Sequence, residues 1–442
     1  VNSDGTNFVY TPDGSFTGDD TVVYQVTDGT DTDTGTLTIT VPVTVPVAAN
    51  GSETTPQDDV LTDTVAGLVT NETGATLTYA VTVEPTNGSV SLNTSTGAYD
   101  YTPDDSLEFT EAIAKVVVPA NERLLEQAKA KLSYESLKPW DVAVDPEGRD
   151  PLVAYDTIDE FINKTETIFN QVDPELGENF SMMKNEGLLD LENRKGKGPG
   201  GYCTYFALSE RPFIFMNSVG LDRDVTTLLH EAGHAFHGFS RGDTKYLMQR
   251  NSPMEFNEVA SMAMELLAYP YLTEQHGGYF NEDEAVRYRI DHLKGIIQFF
   301  PYMAVVVAFQ HWIYENHDEA SDPDNCDEKW LELWHKYMTG VDWTGYDDFI
   351  INRWRRQLHI FVVPFYYIEY GLAQLGSVQV WANALEDQQR ALEQYRSALA
   401  LGGTVTLPEL YASAGGKLSV DAETLGEAIS LIETTLHELE AV

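Results

Sequence analysis

The first 108 residues contain no Lys, Arg, His, Cys, Met or Trp, whereas the remainder of the 442-residue chain contains all six. A stretch without cations cannot neutralise phosphates, and one without His or Cys has no nitrogen or sulfur ligand for zinc. Cysteine is nearly absent throughout: Cys203 and Cys326 lie far apart and in no Cys-x-x-Cys spacing. That excludes a disulfide framework and a thiolate metal site. Basic residues are scarce, 27 against 70 acidic ones, for a formal net charge of -43. Nucleic acid and anionic membrane are therefore excluded as main partners by repulsion. No apolar run is expected to reach the length of a membrane span, so no membrane insertion is expected. The opening Val1-Asn2-Ser3-Asp4 lacks the basic and apolar regions of a signal peptide, and a start on Val1 is expected of a processed chain or a fragment.

What the first 108 residues do contain is Thr, Asp, Gly and Val in alternating runs. Thr21–Val26 and Thr36–Val41 are β-branched and bounded by Asp-Gly or Gly turns, a pattern that predicts short antiparallel strands and an all-β, sandwich-like segment. Tyr10-Thr11-Pro12-Asp13 returns as Tyr101-Thr102-Pro103-Asp104, a period near that of an immunoglobulin-sized sandwich. On these residues the segment resembles the cadherin-like tandem repeats of bacterial surface proteins. Residues 1 to about 45 then form the tail of one repeat and 46–106 the front of a second, truncated one. The turn Asp28-Gly29-Thr30-Asp31-Thr32-Asp33 is either a calcium (Ca2+) site or a solvated acidic turn.

From Phe109 the apolar residues recur at helical spacing, and helices are expected over 109–132, 156–171, 221–239, 253–269, 283–316, 366–400 and 421–440. Between 200 and 217, two short strands are expected instead. The domain boundary is drawn at 108/109, between a β-rich segment and a mainly α domain.

His230-Glu231-Ala232-Gly233-His234 lies in one of these helices, so two imidazoles stand one turn apart with a carboxylate between them. Val225, Leu228, Leu229, Ala232, Ala235, Phe236 and Phe239 form an apolar stripe that buries the helix. There the histidines are either zinc ligands or core residues bonded to neighbours. A third ligand decides between them. Ser252-Pro253-Met254-Glu255 reads as a capping box opening a new helix, which places Glu258 in the second turn, able to complete a two-His, one-Glu set. Ser261 and Glu265 share that face and could accept the distal N–H groups of the histidines. His237 reads as packing. Arg353, Arg355 and Arg356 either fix a peptide carboxylate or pair with nearby acids.

These residues resemble the thimet oligopeptidase and oligoendopeptidase F family of zinc metallopeptidases. The resemblance runs from about residue 109 to the C-terminus and rests on GLLDLENRKGKGPGGYC, RPFIFMN, LLHEAGHAFH, EFNEVASMAMELL and LHIFVVPFYYIEYGLAQLGSVQVWANALED. It implies a mainly α, gluzincin-like catalytic domain with a small β element. It also implies one zinc ion (Zn2+) per chain on His230, His234 and Glu258, with Glu231 as general base and Glu265 as the supporting carboxylate. His359 and Tyr370 match the family's late catalytic His and Tyr, with Tyr370 as oxyanion donor and Tyr366 and Tyr367 beside the substrate. The strand around Gly201 and Tyr202 would bind substrate backbone by edge addition. Family members carry a helical region ahead of the matching part, and here β repeats stand in that place. The implied substrates are oligopeptides, and a homo-oligomer is left open. The peptidase resemblance points to the cytoplasm and the repeats to the cell surface. A different class of function remains beside this one: a surface-binding or adhesive protein whose peptidase half is an inactive scaffold.

Overall fold

The computed structural model describes all residues except 1, 4–7, 14–15, 17, 42–46, 50–60, 71–76, 82–87, 104, 242–243, 245 and 442. Asp104, the last residue of the second repeat copy, lies outside the described residues. So does much of the stretch 46–106 read as a truncated repeat. The chain divides into two compact units, Val1–Asp104 and Asp105–Val442.

In the first unit, β1 (Gly18–Thr27) and β2 (Thr32–Val41) form an unbroken antiparallel hairpin from Gly18↔Val41 to Thr27↔Thr32. Both expected β-branched runs fall inside it. Its turn is tied by Asp28, whose Oδ1 accepts the N–H groups of Thr30 and Asp31 at 2.9 Å each, with Gly29 at φ +94°. Those backbone donors hold the Asp28 carboxyl below its ordinary range. The carboxylate considered for calcium thus has an internal role. A three-stranded antiparallel sheet follows, β3 (Leu61–Thr64), β4 (Gly88–Leu92) and β5 (Ala98–Pro103), with β5 in the middle.

The second unit is mainly helical. Helix α1 (Asp105–Leu132) starts at Asp105 rather than Phe109, and its first basic residue is Lys115. The pair α2 (Ile158–Val172) and α3 (Pro174–Asn185) leads into a small sheet of β6 (Leu189–Glu192), β7 (Tyr202–Phe206) and β8 (Arg211–Ser218). Central β8 runs parallel to β6 and antiparallel to β7, which leaves β7 on an edge. Then come α4 (Asp222–Ser240), α5 (Met254–Leu267), α6 (Glu282–Glu315) and α7 (Pro323–Tyr337). Last are α8 (Tyr367–Glu386), α9 (Gln388–Leu401), α10 (Leu407–Ser413) and α11 (Ala422–Glu440).

Three expectations need correction. The pattern over 366–400 is two helices, because Asp387 leaves helical geometry and its Oδ1 caps the N–H of Arg390 at 3.1 Å. Ser252 does not cap α5: Pro253 is the N-cap residue, with no side-chain bond, and Glu255 is buried rather than reaching back to the chain. Finally, α6 has an 18-residue window of mean hydropathy 1.4, as apolar as a membrane span, yet 72% of that window is buried inside the unit. This is a core helix by its packing.

Close approach between helices depends on glycine. On α8, a Cβ at Gly371 would meet Phe109 Cε1 of α1 at 3.0 Å, and one at Gly376 would meet Val259 Cγ2 of α5 at 2.9 Å. Removing both side chains lets α8 lie in the middle of the core. Within that core, Phe109, Phe236, Phe256, Phe300 and Trp330 are fully buried. Each such side chain contributes about 1.5–3 kcal/mol relative to exposure.

Candidate metal centre

The site is built on α4 and α5. Asp224 fixes the entry to α4: its Oδ2 accepts the N–H groups of Val219 at 2.6 Å, Gly220 at 2.7 Å and Leu221 at 3.2 Å, and the Tyr155 hydroxyl at 2.6 Å. The apolar stripe of α4 is buried as its spacing requires, Val225, Leu228, Leu229, Ala232, Ala235 and Phe236 all being at most 1% exposed. The opposite face carries His230 and His234. Between them in sequence, Gly233 lets α5 pass directly over the helix: a Cβ there would stand 2.6 Å from both Ala260 O and Ser261 Cα. That crossing brings Glu258 to the histidines.

Glu258 Oε2 is 3.4 Å from His230 Nε2 and 3.6 Å from His234 Nε2, and the three donor atoms all lie within 4.8 Å of one another. Zinc–ligand bonds of about 2.0–2.1 Å in a tetrahedron put neighbouring donors about 3.3–3.4 Å apart. The donor types and separations therefore fit a zinc ion. Electrostatics agree. Burial disfavours a charged His230, yet Glu258 and Glu265 on either side overcome it and hold the imidazole up to about 10. His234, without a carboxylate in hydrogen-bond contact, is pushed down to about 4 by burial. Two carboxylates converging on one ring make a place where a positive charge is stable, whether proton or metal.

Glu231 sits beside this set. Burial pushes its carboxyl up to about 7, against the pull of His230 and of a hydrogen bond from the Cys203 N–H on β7. A carboxyl in that range can both take and return a proton near neutrality. Ser261 does not bond the histidines; its hydroxyl donates to Glu258, to the carbonyl at 3.0 Å and to Oε2 at 3.1 Å. Glu265 Oε1 accepts from His230 Nδ1 at 2.7 Å, the contact expected of it. His237 is buried, with Nε2 3.0 Å from Ser252 Oγ and its ring edge-on to Phe256, so it packs the core.

His359, Tyr366, Tyr367 and Tyr370 come together. The imidazole stacks on Tyr366, with ring centroids 5.7 Å apart, and its centroid lies 4.9 Å from that of Tyr367 and 6.1 Å from that of Tyr370. Gln357 spans His359 Nδ1 at 2.7 Å and the Tyr302 hydroxyl at 2.9 Å, which orients the ring. Burial raises the Tyr370 phenol, and the charges of Glu258, Glu369 and Glu231 raise it further. The phenol is thus within electrostatic reach of Glu258 and Glu231. Gly201 packs toward Thr227 of α4, while Tyr202 stacks on Phe215 with 49% of its surface exposed. Arg355 pairs with Asp327 at 2.9 Å, and Arg353 lies over the Trp334 ring. Of the carboxylate-binding candidates, these two are already engaged.

Sequence reasoning missed two members of this neighbourhood. One is the Cys203 backbone, which no side-chain motif announces. The other is His292 on α6, whose Nε2 lies 2.7 Å from Glu265 Oε2.

A helical unit built around such a two-His, one-Glu cluster defines a class, and the family model for peptidase family M3 matches residues 93–428. The chain belongs to that family. A bacterial Ig domain model matches residues 1–40. Among curated proteins, the chain is 26% identical over 273 residues to oligopeptidase PepF of Bacillus subtilis (strain 168), covering 60% of this chain and 39% of that one. It is 25% identical over 349 residues to group B oligopeptidase PepB of Streptococcus agalactiae serotype III (strain NEM316), covering 75% and 54%. A solved structure of PZ peptidase A with inhibitor 2 superposes with a TM-score of 0.70 at 31% identity, over 76% of this chain and 59% of that one. The chain thus spans about half the length of the curated relatives it matches.

Proposed function

We propose that the chain is a zinc metalloendopeptidase acting on oligopeptides, with its catalytic machinery in the unit from Asp105 onward and the β segment as an accessory. The observation that carries this reading is the convergence of His230, His234 and Glu258, with Glu231 adjacent and buried enough to hold its carboxyl near 7. Family membership and the relatives' names support the peptidase class and the oligopeptide substrates.

In this reading His230, His234 and Glu258 hold the zinc, which, when bound, supplies Lewis acidity toward a peptide carbonyl and toward water. Glu231 takes the proton from the attacking water and later delivers it to the leaving amine. The Cys203 N–H keeps the Glu231 carboxylate oriented toward the site while β7 leaves an edge open to peptide backbone. The Tyr370 hydroxyl donates to the oxyanion that forms at the scissile carbon, and Tyr366, Tyr367 and His359 hold that phenol in place. Ser261 steadies Glu258, and Glu265 steadies His230, through their hydrogen bonds.

The test is cleavage of a quenched peptide-length series by the full chain, with and without chelator and with zinc restored. Chelator-sensitive cleavage that zinc restores is expected. Equal cleavage in the presence of chelator removes the reading.

A second reading has its own observation, the bacterial Ig domain match, which supports a binding role for the β segment. On that reading the segment carries the function and the helical unit is an inactive scaffold. It predicts no cleavage by the zinc-loaded chain.

A further inference from the structure

Glu265 has two partners rather than one. Its Oε1 faces His230 Nδ1 at 2.7 Å and its Oε2 faces His292 Nε2 at 2.7 Å. His292 Nδ1 lies in turn 2.6 Å from the hydroxyl of Tyr269, which is buried. Four side chains from α4, α5, α6 and the turn after α5 thus form one line that ends at a donor of the metal cluster.

The carboxylate sets the hydrogen-bond senses at its own two contacts. An ionised carboxylate only accepts, so the nitrogens that face Glu265, His230 Nδ1 and His292 Nε2, both carry protons. When His292 carries its single proton on Nε2, its lone pair is on Nδ1 and the Tyr269 hydroxyl donates to it. A metal on His230 Nε2, the atom that faces Glu258, needs the remaining ring proton on Nδ1, where Glu265 accepts it. The proton placement that a metal on His230 needs is thus favoured by a line of bonds that runs from Tyr269 through His292 and Glu265.

Geometry gives His292 a separate part in this. Glu265 alone could swing about its side-chain torsions and lose its alignment with His230. Anchoring its second oxygen to a ring on α6 removes that freedom. The other contacts of His292 are aromatic, Tyr269 and Tyr288 at ring-centroid distances of 5.7 and 6.1 Å, so its position is fixed from two sides. We propose that His292, oriented by Tyr269, is a positioning residue for the metal cluster, acting through Glu265 on the ring plane and tautomer of His230. The proposal rests on the zinc reading above.

The test uses the full chain, zinc competition against a chromophoric chelator, the visible spectrum of the cobalt-substituted protein, and thermal unfolding of the metal-free protein. His292→Phe removes the donor to Glu265 and is expected to weaken zinc binding about 10–100-fold and to shift the cobalt bands. His292→Gln can still present an N–H to Glu265 and is expected to recover most of that affinity. Tyr269→Phe releases only the tautomer of His292, and a smaller loss in the same direction is expected. A His292→Phe protein with a lower unfolding temperature but unchanged zinc affinity and cobalt spectrum overturns the proposal, because His292 then serves only stability. Should His292→Phe not fold, Tyr269→Phe decides, and unchanged affinity and spectrum in that variant overturn it. A wild-type chain that binds neither zinc nor cobalt overturns the zinc reading itself, an outcome distinct from failure of the positioning role.

Discussion

Replacing Gly233 by alanine sets two effects of opposite sign against each other. In an exposed helix interior the change gains up to about 1 kcal/mol, because glycine has more backbone freedom to lose on folding. Here the new Cβ would stand 2.6 Å from Ala260 O and 2.6 Å from Ser261 Cα, whereas ordinary contact begins at 3.4 Å. Both neighbours are backbone atoms, so α5 itself would have to retreat by the 0.8 Å between those values. Its retreat is obstructed: the Tyr395 hydroxyl bonds Ala260 O at 2.6 Å, and α8 is packed against Val259 through Gly376. Overpacking of this kind costs about 1–3 kcal/mol or somewhat more, so the net expectation is destabilisation of about 1–2 kcal/mol after the propensity gain. The same displacement would carry Glu258 away from His230 and His234, so weaker zinc binding is expected with it. Gly295 on α6 supplies the control, since it is exposed and a Cβ there meets nothing within 4 Å. Gly295→Ala is expected to be neutral or stabilising. Thermal unfolding of the metal-free variants and zinc competition measure both effects. A Gly233→Ala protein that melts at or above wild type and holds zinc equally well refutes the account of the α4–α5 crossing.

Other expectations concern individual residues. Glu231→Gln is expected to retain zinc and lose about 10²–10⁴-fold in kcat; single-variant kinetics beside a zinc assay check it, and near-wild-type turnover rejects the proton-transfer role. Tyr370→Phe is expected to lower kcat by about 10²–10³-fold with little change in KM; a change confined to KM would instead make the phenol a substrate contact. His311, buried on α6, has its imidazole pushed down to about 4 by desolvation, while the unfolded chain protonates near 6.5. The unfolded state binds the proton first, so this contribution is complete above pH 6.5 and is lost as pH falls toward 4, about 3 kcal/mol in all. In His311→Gln the unfolding free energy is expected to depend less on pH in that window; identical slopes in the two proteins rule this out.

The legibility of the fold varied with the kind of signal. Buried helices with a clear 3.6 period, α2 and α4 among them, could be read from their apolar stripes. A period that runs on through a break hides it, as at Asp387, where only the cap signals that α8 has ended. Helices α3 and α7 were missed, although each opens on the same pair, Asp173-Pro174 and Asp322-Pro323, with aspartate as N-cap and proline in the first turn. The Ser252–Glu255 pattern misled for the converse reason: Ser252 Oγ is drawn to His237, so the local cap lost to a tertiary partner. At the site, His230, His234, Glu258 and Glu265 were legible because helical spacing fixes their relative faces. His292 was not, since a lone histidine on a long helix has no spacing to betray it and acquires meaning only when the fold brings it to Glu265.

The chain has no lysine or arginine side chain before Lys115, eleven positions into a continuous helix that begins at Asp105. Any reagent that reads ammonium or guanidinium groups on side chains, trypsin and amine-directed cross-linkers included, addresses α1 and the elements after it and passes over the β segment in silence. Carbodiimide labelling of carboxylates reaches both. The two units can therefore be followed separately in a single sample of the intact chain, one by its amines and the other by the carboxylate signal left once the amine-bearing unit is subtracted.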